Sequence, residues 1–493
     1  MSAEALELYL RERAHLGDPL PGSALGRAGG AACGDLLSIS LRLEGGSVAD
    51  VRRAGSGCAA ARAASAAVAE LVDGARLADA ALLGPGDVSA ELGGLSAVGK
   101  HAAELAAEAL HRALGAAVLS TDDPLLPSPP SGAERVLVAL SGGVDSAVVA
   151  LRERERGAEV VAITLELWSD PANDGERSCC SADAVRGARS LAHSLGIPHL
   201  TVDLRRRFRA GVVEPFLAGH AAGATPNPCV RCNGRVRIEP MIEIAQRLGA
   251  GALATGHYAR IADDGSGEPL LAAAADPAKD QSYMLAGLAP SALRRLRFPL
   301  GELTKQEVRV LAREAGLAVA EKAESQDLCF LAGEGKAGFL ARHGGLADRE
   351  GELTDREGNV LGTHAGHHLF TVGQRRGIGL AASEPLYVLA TDAESNRVTV
   401  GSATELEVGR VAIRDAVLHR PAERVGSVRL RYRSRPLRCR LGVGVGTGTG
   451  KRLGPGVHER LEVVLEEPAR AAAPGQTAVL CDGDLVIGHG TIA

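Results

Sequence analysis

Ser141-Gly142-Gly143-Val144-Asp145-Ser146 ends a hydrophobic run and opens a stretch of helical periodicity. Glycines at 142 and 143 let backbone N–H groups approach an anion, a helix N-terminus adds its dipole, and Ser141 and Ser146 add hydroxyl donors. Those residue types in that order suit a phosphate. An ordinary Gly-rich turn is the bland alternative, and six fitting residues between a strand and a helix make it the weaker reading. Sulfur chemistry is the second signal. Nine cysteines occur, Cys33, Cys58, Cys179, Cys180, Cys229, Cys232, Cys329, Cys439 and Cys481. An odd number with no export signal argues against a disulfide framework, and clustered thiols in a reducing compartment serve more often as ligands or nucleophiles. Cys229 and Cys232 form a C-x-x-C on the Pro-stiffened loop Thr225-Pro226-Asn227-Pro228-Cys229-Val230-Arg231-Cys232-Asn233. A thiolate is the competent form, and Arg231, Arg235 or a helix N-terminus would favour it. With one C-x-x-C and no His at zinc-finger spacing, zinc is a minor alternative there. The bland reading of Cys179 and Cys180 is loop thiols without a task. Gly442 to Lys451 imitates a phosphate loop, but Val445 replaces its first glycine and Arg452 its Ser or Thr, so a hairpin loop is expected.

Elements able to position these residues follow from the patterning. Arg135–Leu140 is a buried-strand run, followed by a helical stretch to Arg156 and a second apolar run, Glu159–Leu165. Further units repeat the alternation: a helix through Ala188–Leu195 before His199–Val202, and a helix through Ile238–Leu248 before Ala252–Thr255. That is a parallel α/β sheet. Beyond about Gly345 short alternating runs with Gly and Asn-Arg turns, such as LYVLATDAESNRVTVG, read as hairpins and barrels. Before it, residues up to about Val118 form a separate unit, with a strand at Leu36–Leu43 and Ala-rich helices. Ser120–Glu134, rich in Pro, Ser and Asp, reads as an extended linker.

The 493 residues suit roughly three domains. At 45% hydrophobic residues the chain can build real cores, and with 2% aromatic residues these must rest on Ala, Val and Leu. The net charge of -5 gives no overall attraction for nucleic acid, which needs only a local basic surface. Arg205, Arg206, Arg207 and Arg209 form one basic run, and Arg424, Arg429, Arg431, Arg433, Arg435, Arg438 and Arg440 another. Alternation places Arg429, Arg431 and Arg433 on one face of a strand. A charge run is usually a solvated face; two in a net-acidic chain favour phosphate contacts. No apolar stretch is long enough for a membrane span and the N-terminus is not a secretory signal, so a cytoplasmic protein with no membrane partner is expected.

SGGVDS resembles the pyrophosphate-binding loop of the PP-loop ATP-pyrophosphatase superfamily. Gly256-His257-Tyr258, Lys279-Asp280-Gln281-Ser282-Tyr283, Ser325-Gln326-Asp327-Leu328-Cys329-Phe330, Gly373-Gln374-Arg375-Arg376-Gly377 and Arg431-Tyr432-Arg433-Ser434 follow the cysteine loop in order. Together these motifs, from about Glu134 to the C-terminus, resemble the bacterial tRNA-uridine 2-sulfurtransferase (2-thiouridylase) family. The resemblance implies an α/β PP-loop domain (adenine nucleotide alpha hydrolase-like) at 134–340, a central β domain at 341–408 and a C-terminal β-barrel at 409–493. It implies ATP with Mg2+, bound at Ala139, Leu140, Ser141, Gly142, Gly143, Val144, Asp145, Ser146, Leu165 and Gly256. The target base would face Asn227, Pro228 and Cys229, where some members carry Asp in place of Cys229. Transfer RNA would meet His257, Lys279, Asp280, Gln281, Arg431, Tyr432 and Gln476. His257 also has two simpler readings, a catalytic base or a sheet-edge cap. In the family the residue matching Cys329 carries a persulfide and that matching Cys232 acts in its release, with a transient disulfide between them. ATP makes the uracil C2 oxygen of the wobble uridine a leaving group, and sulfur replaces it to give 2-thiouridine. An iron–sulfur cluster on Cys229, Cys232 and Cys329 is the other reading of these thiols, second to direct persulfide transfer. An amide ligase sharing the PP-loop would need neither paired thiols nor an RNA-facing barrel.

Cys33-Gly34-Asp35, Gly57-Cys58-Ala59 and Lys100-His101-Ala102 resemble the iron–sulfur scaffold proteins of the IscU/NifU type, implying an α+β domain at 1–119 and a linker at 120–133. Ala102 stands where those scaffolds have their third cysteine. Cys33, Asp35, Cys58 and His101 remain as ligands for zinc or a weak cluster, against a retired scaffold kept for docking. A non-catalytic iron–sulfur carrier would leave SGGVDS unexplained. Fusion of the two units suggests a relay of sulfur from a cysteine desulfurase or another sulfur-relay protein through this domain to Cys329.

Overall fold

The computed structural model describes residues 3–11, 13–30, 34–96, 99–170, 182–322, 328–331, 333–442 and 453–493. Cys33, Cys179, Cys180, Ser325, Gln326, Asp327 and the glycine-rich stretch from Val443 to Lys451 lie outside the described residues.

Helix α1 (Ala3–Arg11) precedes an antiparallel sheet of β1 (Ala24–Gly29), β2 (Leu36–Glu44) and β3 (Ser47–Ser56). Helices α2 (Ala59–Val72) and α3 (Lys100–Ser120) pack on it. Both bury mostly alanine. Lacking bulky side chains, the elements fill space by bringing backbones together: a Cβ at Gly26 of β1 would lie 2.0 Å from the Ala109 carbonyl oxygen of α3. From Thr121 to Glu134 the linker has no helix or strand, but it is strapped down. Leu125 is buried and donates its N–H to the Arg247 carbonyl at 2.8 Å, and Arg135 Nη2 donates to Pro127 O at 2.9 Å.

The catalytic-type domain alternates β4 (Arg135–Ala139), α4 (Val144–Glu155), β5 (Glu159–Glu166), α5 (Ala182–Ser194), β6 (His199–Asp203), α6 (Glu239–Arg247) and β7 (Ala252–Ala254). A hairpin, β8 (Arg260–Ala262) and β9 (Leu270–Ala272), then leads to β10 (Leu296–Arg297). The sheet is parallel, in the order β10-β7-β4-β5-β6. Strand order therefore reverses at β4, and a crevice opens at the carboxyl ends of β4 and β7, where open α/β sheets bind ligands. α6 starts one residue later than its pattern suggested, after a wider π-helical segment over Cys232–Ile238.

Helix α3 seals the β6 edge of this sheet. A Cβ at Gly115 would sit 1.8 Å from Thr201 O, His111 lies 3.1 Å from His199 O and 2.9 Å from Leu83 O, and the His199 N–H donates to Ala81 O at 3.0 Å. Arg112 of α3 also pairs with Glu166 at 2.9 Å. One continuous hydrophobic core runs from the N-terminal domain into the parallel sheet.

After α7 (Lys305–Glu314) and α8 (Gly335–Gly344), β11 (Gly351–Thr354), β12 (Val360–His364), β13 (Tyr387–Asp392) and β14 (Arg397–Gly401) make a four-stranded sheet. Asn396, at φ 52, turns the β13–β14 hairpin. Strands β15 (Glu407–Leu418), β16 (Ser427–Arg429), β17 (Leu437–Gly442), β18 (Gly456–Arg470), β19 (Thr477–Asp482) and β20 (Leu485–Ile492) close into a barrel through β15–β20 pairing. Hairpin β8–β9 of the preceding domain extends this sheet, with Leu271 opposite Val486. One expectation fails here. β16 ends at Arg429 and residues 431–433 form a turn, with Arg433 at φ 61, so Arg429, Arg431 and Arg433 do not share a strand face. Among the described residues no helix is long and apolar enough to cross a membrane.

Candidate active site

The SGGVDS loop leaves β4 and enters α4 at the point of strand reversal. Gly142 adopts φ +71, a conformation that suits glycine, and Ser146 Oγ holds the loop by accepting from Ser141 N at 3.1 Å and donating to Gly143 O at 3.1 Å. The neighbouring strand steadies its base: Leu140 N donates to Ile163 O at 2.8 Å, and Thr164 Oγ1 donates to Leu140 O at 2.6 Å. Leu165, further along β5, is buried, while Ala139 at the end of β4 is half-buried. Gly256, following β7, closes against the loop so tightly that a Cβ would lie 3.0 Å from Ser146 N. This is a cradle that a larger residue at 256 would fill. Three side chains at this crevice were not singled out from the sequence. Lys305 Nζ at the start of α7 lies 2.6 Å from Asp145 Oδ1, Tyr258 Oη donates to the same oxygen at 2.9 Å, and Lys322 Nζ donates to Gly142 O at 2.9 Å. Tyr258 is part of the quoted motif Gly256-His257-Tyr258, though no role was assigned to it there. The lysines carry no local signal, because only the fold returns them to the loop.

The cysteine loop is built as a presented turn. Asn227 Oδ1 accepts from Cys229 N at 3.0 Å, capping a one-turn helix, Pro228–Arg231. Both β domains clamp its approach: Thr391 Oγ1 donates to Gly223 O at 2.7 Å, Thr225 N donates to Pro474 O at 2.8 Å, and Gln476 Nε2 donates to Thr225 O at 2.6 Å. Gln476 thus shapes the loop beside the place expected for the base. Cys229 is half-buried; Cys232, 8% exposed, belongs to the hydrophobic core against which the half-buried Cys329 packs.

The residues expected to face RNA divide. Asp280 is consumed internally: its oxygens accept from Ala274 N, Ser282 N, Ser282 Oγ and Arg429 Nη1, the last at 2.7 Å. It pins the barrel to the catalytic-type domain. Gln281 Oε1 accepts from Tyr258 N at 2.9 Å, and Lys279 is half-exposed. His257 Nδ1 lies 2.8 Å from Thr255 Oγ1, and desolvation together with nearby Arg237 pushes its pKa down to about 3. A ring that resists protonation so strongly is a poor general base at neutral pH. Arg431 Nη2 donates to Arg470 O at 2.9 Å, and Tyr432 packs 6.1 Å from Tyr283 with the Arg433 guanidinium 5.3 Å from its ring. Arg205, Arg207 and Arg209 of the first basic run each pair with a carboxylate, as does Arg424 of the second, so the first run is largely neutralised in place.

In the N-terminal domain, Cys58 caps α2, and Asp35 accepts from its N–H at 2.8 Å and from Sγ at 3.3 Å. His101 stands half-exposed on α3 near Glu104, and Ala102 is buried and offers no donor. Among the described residues, Asp170, Glu334 and His343 are the one trio of Cys, His, Asp or Glu ligand atoms within 4.8 Å of one another. Neither Asp35, Cys58 and His101 nor Cys229, Cys232 and Cys329 is gathered so closely.

A phosphate-type loop at a strand-reversal point, together with a capped thiol loop clamped by two β domains, defines an α/β PP-loop enzyme of modular build. Family models cover the chain in matching pieces: a NifU-like N terminal domain at residues 5–117, a tRNA methyl transferase HUP domain at 134–333, a tRNA methyl transferase PRC-barrel domain at 337–402 and an aminomethyltransferase beta-barrel domain at 417–492. The bifunctional protein NifU/MnmA of Rubrobacter xylanophilus is 44% identical, covering 98% of this chain and 96% of its own length. The tRNA-specific 2-thiouridylases MnmA of Geobacter metallireducens and Magnetococcus marinus are 42% and 40% identical, each over 73% of this chain and over 96% and 99% of their own lengths. The chain belongs to the bifunctional NifU/MnmA family, whose enzymatic part is a sulfurtransferase.

Proposed function

We propose that this chain uses ATP, with Mg2+, to convert the wobble uridine of tRNA to 2-thiouridine in the cytoplasm. The uracil C2 oxygen attacks the α-phosphorus of ATP and pyrophosphate leaves. The terminal sulfur of a Cys329 persulfide then bonds to C2, and AMP departs with the former oxygen. Cys232 thiolate attacks the Cys329 sulfur, breaking the S–S bond to the product and leaving a Cys232–Cys329 disulfide for a two-electron reductant. Ser141 to Ser146, Ala139, Leu140, Leu165 and Gly256 would surround the nucleotide, and Asn227, Pro228 and Cys229 the base. The observation carrying this reading is the meeting of the SGGVDS cradle with Gly256 in the crevice of a chain 44% identical to a NifU/MnmA protein along nearly its whole length.

Single replacements Cys232→Ser and Cys329→Ser should each abolish 2-thiouridine formation while tRNA-dependent ATP–pyrophosphate exchange continues. Thiolation surviving in the double replacement would sink the reading. Stoichiometric iron required for turnover in anaerobically purified protein would favour a cluster on the same thiols instead.

For the N-terminal domain the reading is sulfur acceptance at Cys58 from a cysteine desulfurase or relay protein. Its exposure and Asp35 contact support that role. Truncation is a poor test, because α3 is part of the catalytic-type domain's packing. Cys58→Ser should slow desulfurase-driven thiolation and spare the sulfide-driven reaction; equal rates in both assays would remove the relay.

A further inference from the structure

Aromatic residues make up only 2% of this chain, yet four of its six phenylalanines and its one tryptophan gather beside Cys329. Phe330, the next residue, stands 5.8 Å from Phe208, 5.2 Å from Phe216 and 5.0 Å from Phe339, centroid to centroid. Trp168 lies 6.3 Å from Phe208 and 5.8 Å from Phe339. Phe330 and Phe339 are buried. In a molecule otherwise cored by Ala, Val and Leu, these large rings fix one segment, and edge-to-face contacts give that fixation a direction. Phe330 therefore sets where the Cys329 segment sits, and Phe339 of α8 sets where Phe330 sits.

Helix α8 is held in turn by a buried carboxylate. Asp170, 7% exposed, accepts from Arg342 Nη1 at 2.9 Å and from Arg342 Nη2, while His343 Nε2 lies 3.1 Å from its Oδ2. Arg342 Nη2 also donates to Glu334 at the N-cap of α8. The His343 ring packs 4.6 Å from Phe339 and 5.3 Å from Trp168, joining the charged and aromatic groups. Arg342 pairs with both carboxylates, so this trio is an ion-pair network and not a metal site. Trp168 and Asp170 follow directly from β5, the strand that bonds Leu140 at the base of the nucleotide loop. Burying such a network gives little net stability over an apolar filling, whereas a two-pronged Arg–carboxylate bond fixes orientation closely.

We propose that Asp170 is a positioning residue for sulfur delivery: through Arg342, His343 and Phe339 it fixes Phe330, and so registers the Cys329 thiol against the nucleotide crevice. The inference rests on the reading of Cys329 as the sulfur carrier.

The test uses the full-length protein. Asp170→Asn preserves shape and leaves Arg342 its Glu334 partner. Expected are tRNA-dependent ATP–pyrophosphate exchange within about twofold of the parent and single-turnover thiolation lower by about 10- to 100-fold. Alkylation of Cys329 by iodoacetamide, followed by mass spectrometry against exposed Cys58, should change rate in the same variant. Arg342→Lys keeps the charge without the two-pronged bond and should lose less; it carries the comparison if Asp170→Asn does not fold. Unchanged thiolation in both variants would overturn the proposal, as would exchange and thiolation falling together. Retained thiolation in Cys329→Ser would instead overturn the reading beneath it, so the two failures are distinct.

Discussion

Asp145 gathers two donors on one oxygen, the Lys305 ammonium at 2.6 Å and the Tyr258 hydroxyl at 2.9 Å. A cation held at the loop in advance needs no reorganisation to meet charge developing on a phosphate, which is where fixed electrostatics lowers a barrier most. Lys305→Met should slow tRNA-dependent ATP–pyrophosphate exchange by about 100-fold while leaving tRNA affinity in a filter-binding assay unchanged. An exchange rate near the parent's would show that the lysine serves only the fold. Other residues show how far type and spacing reach. Cys232 and Cys329 stood out through their motifs, and both pack at one core. Cys439 and Cys481 are chemically the same residue type, but burial in the barrel pushes their thiols up to about 12 and about 11. Asp280 shows the converse: a motif residue expected to meet RNA spends its bonding capacity inside the protein.

At the scale of elements, the strand runs and the β13–β14 hairpin were legible because their periods and turn residues are local. The contact between α3 and β6 was not, since an Ala- and Gly-rich helix advertises no partner. Gly115 makes that contact measurable. Alanine there gains about 1 kcal/mol of helix propensity, yet its Cβ would meet Thr201 O at 1.8 Å. Gly115→Ala should therefore destabilise the full-length protein by about 1–3 kcal/mol net in denaturant unfolding; a stabilised variant would mean that the two elements separate easily. The contact also leads toward the nucleotide loop. His111 meets His199 O, His199 Nε2 lies 2.8 Å from Thr164 Oγ1, and that hydroxyl donates to Leu140 O. Because the hydroxyl proton is committed to Leu140, His199 Nε2 is the donor in its own bond. The basic run near Arg431 failed as a strand for a similar reason: alternation over five residues cannot register that Arg429 is drawn to Asp280 and that the chain turns just afterwards.

The whole molecule buries neutral histidines in several of its parts. Desolvation lowers His220 and His257 to about 3, and His419 and His489 to about 4, from an ordinary 6.5. Nearby cations add to the effect, Lys336 at His220 and Arg420 at His419. An unfolded chain takes up protons on these rings near pH 6.5, whereas the folded one takes them up only near 3 to 4. The stability they contribute is present above 6.5 and lost as pH falls through the folded values. Asp264, held well below the usual carboxylate range by Arg420 and Arg424, acts in the same direction at still lower pH. The melting temperature should hold steady above about pH 7 and fall progressively from about pH 6 to pH 4. A flat calorimetric profile across that range would contradict the burial assigned to these rings.

Residue types, order and period alone determined the parallel α/β unit, the trailing β domains and the phosphate loop, because each is written within a few consecutive positions. Tertiary structure decided which distant side chains share an atom: Lys305 and Tyr258 on Asp145, Asp170 beneath the aromatic seat of Cys329, α3 across β6. Those contacts arise from burial and close approach between segments scores of residues apart, and such distances are properties of packing that no local pattern carries.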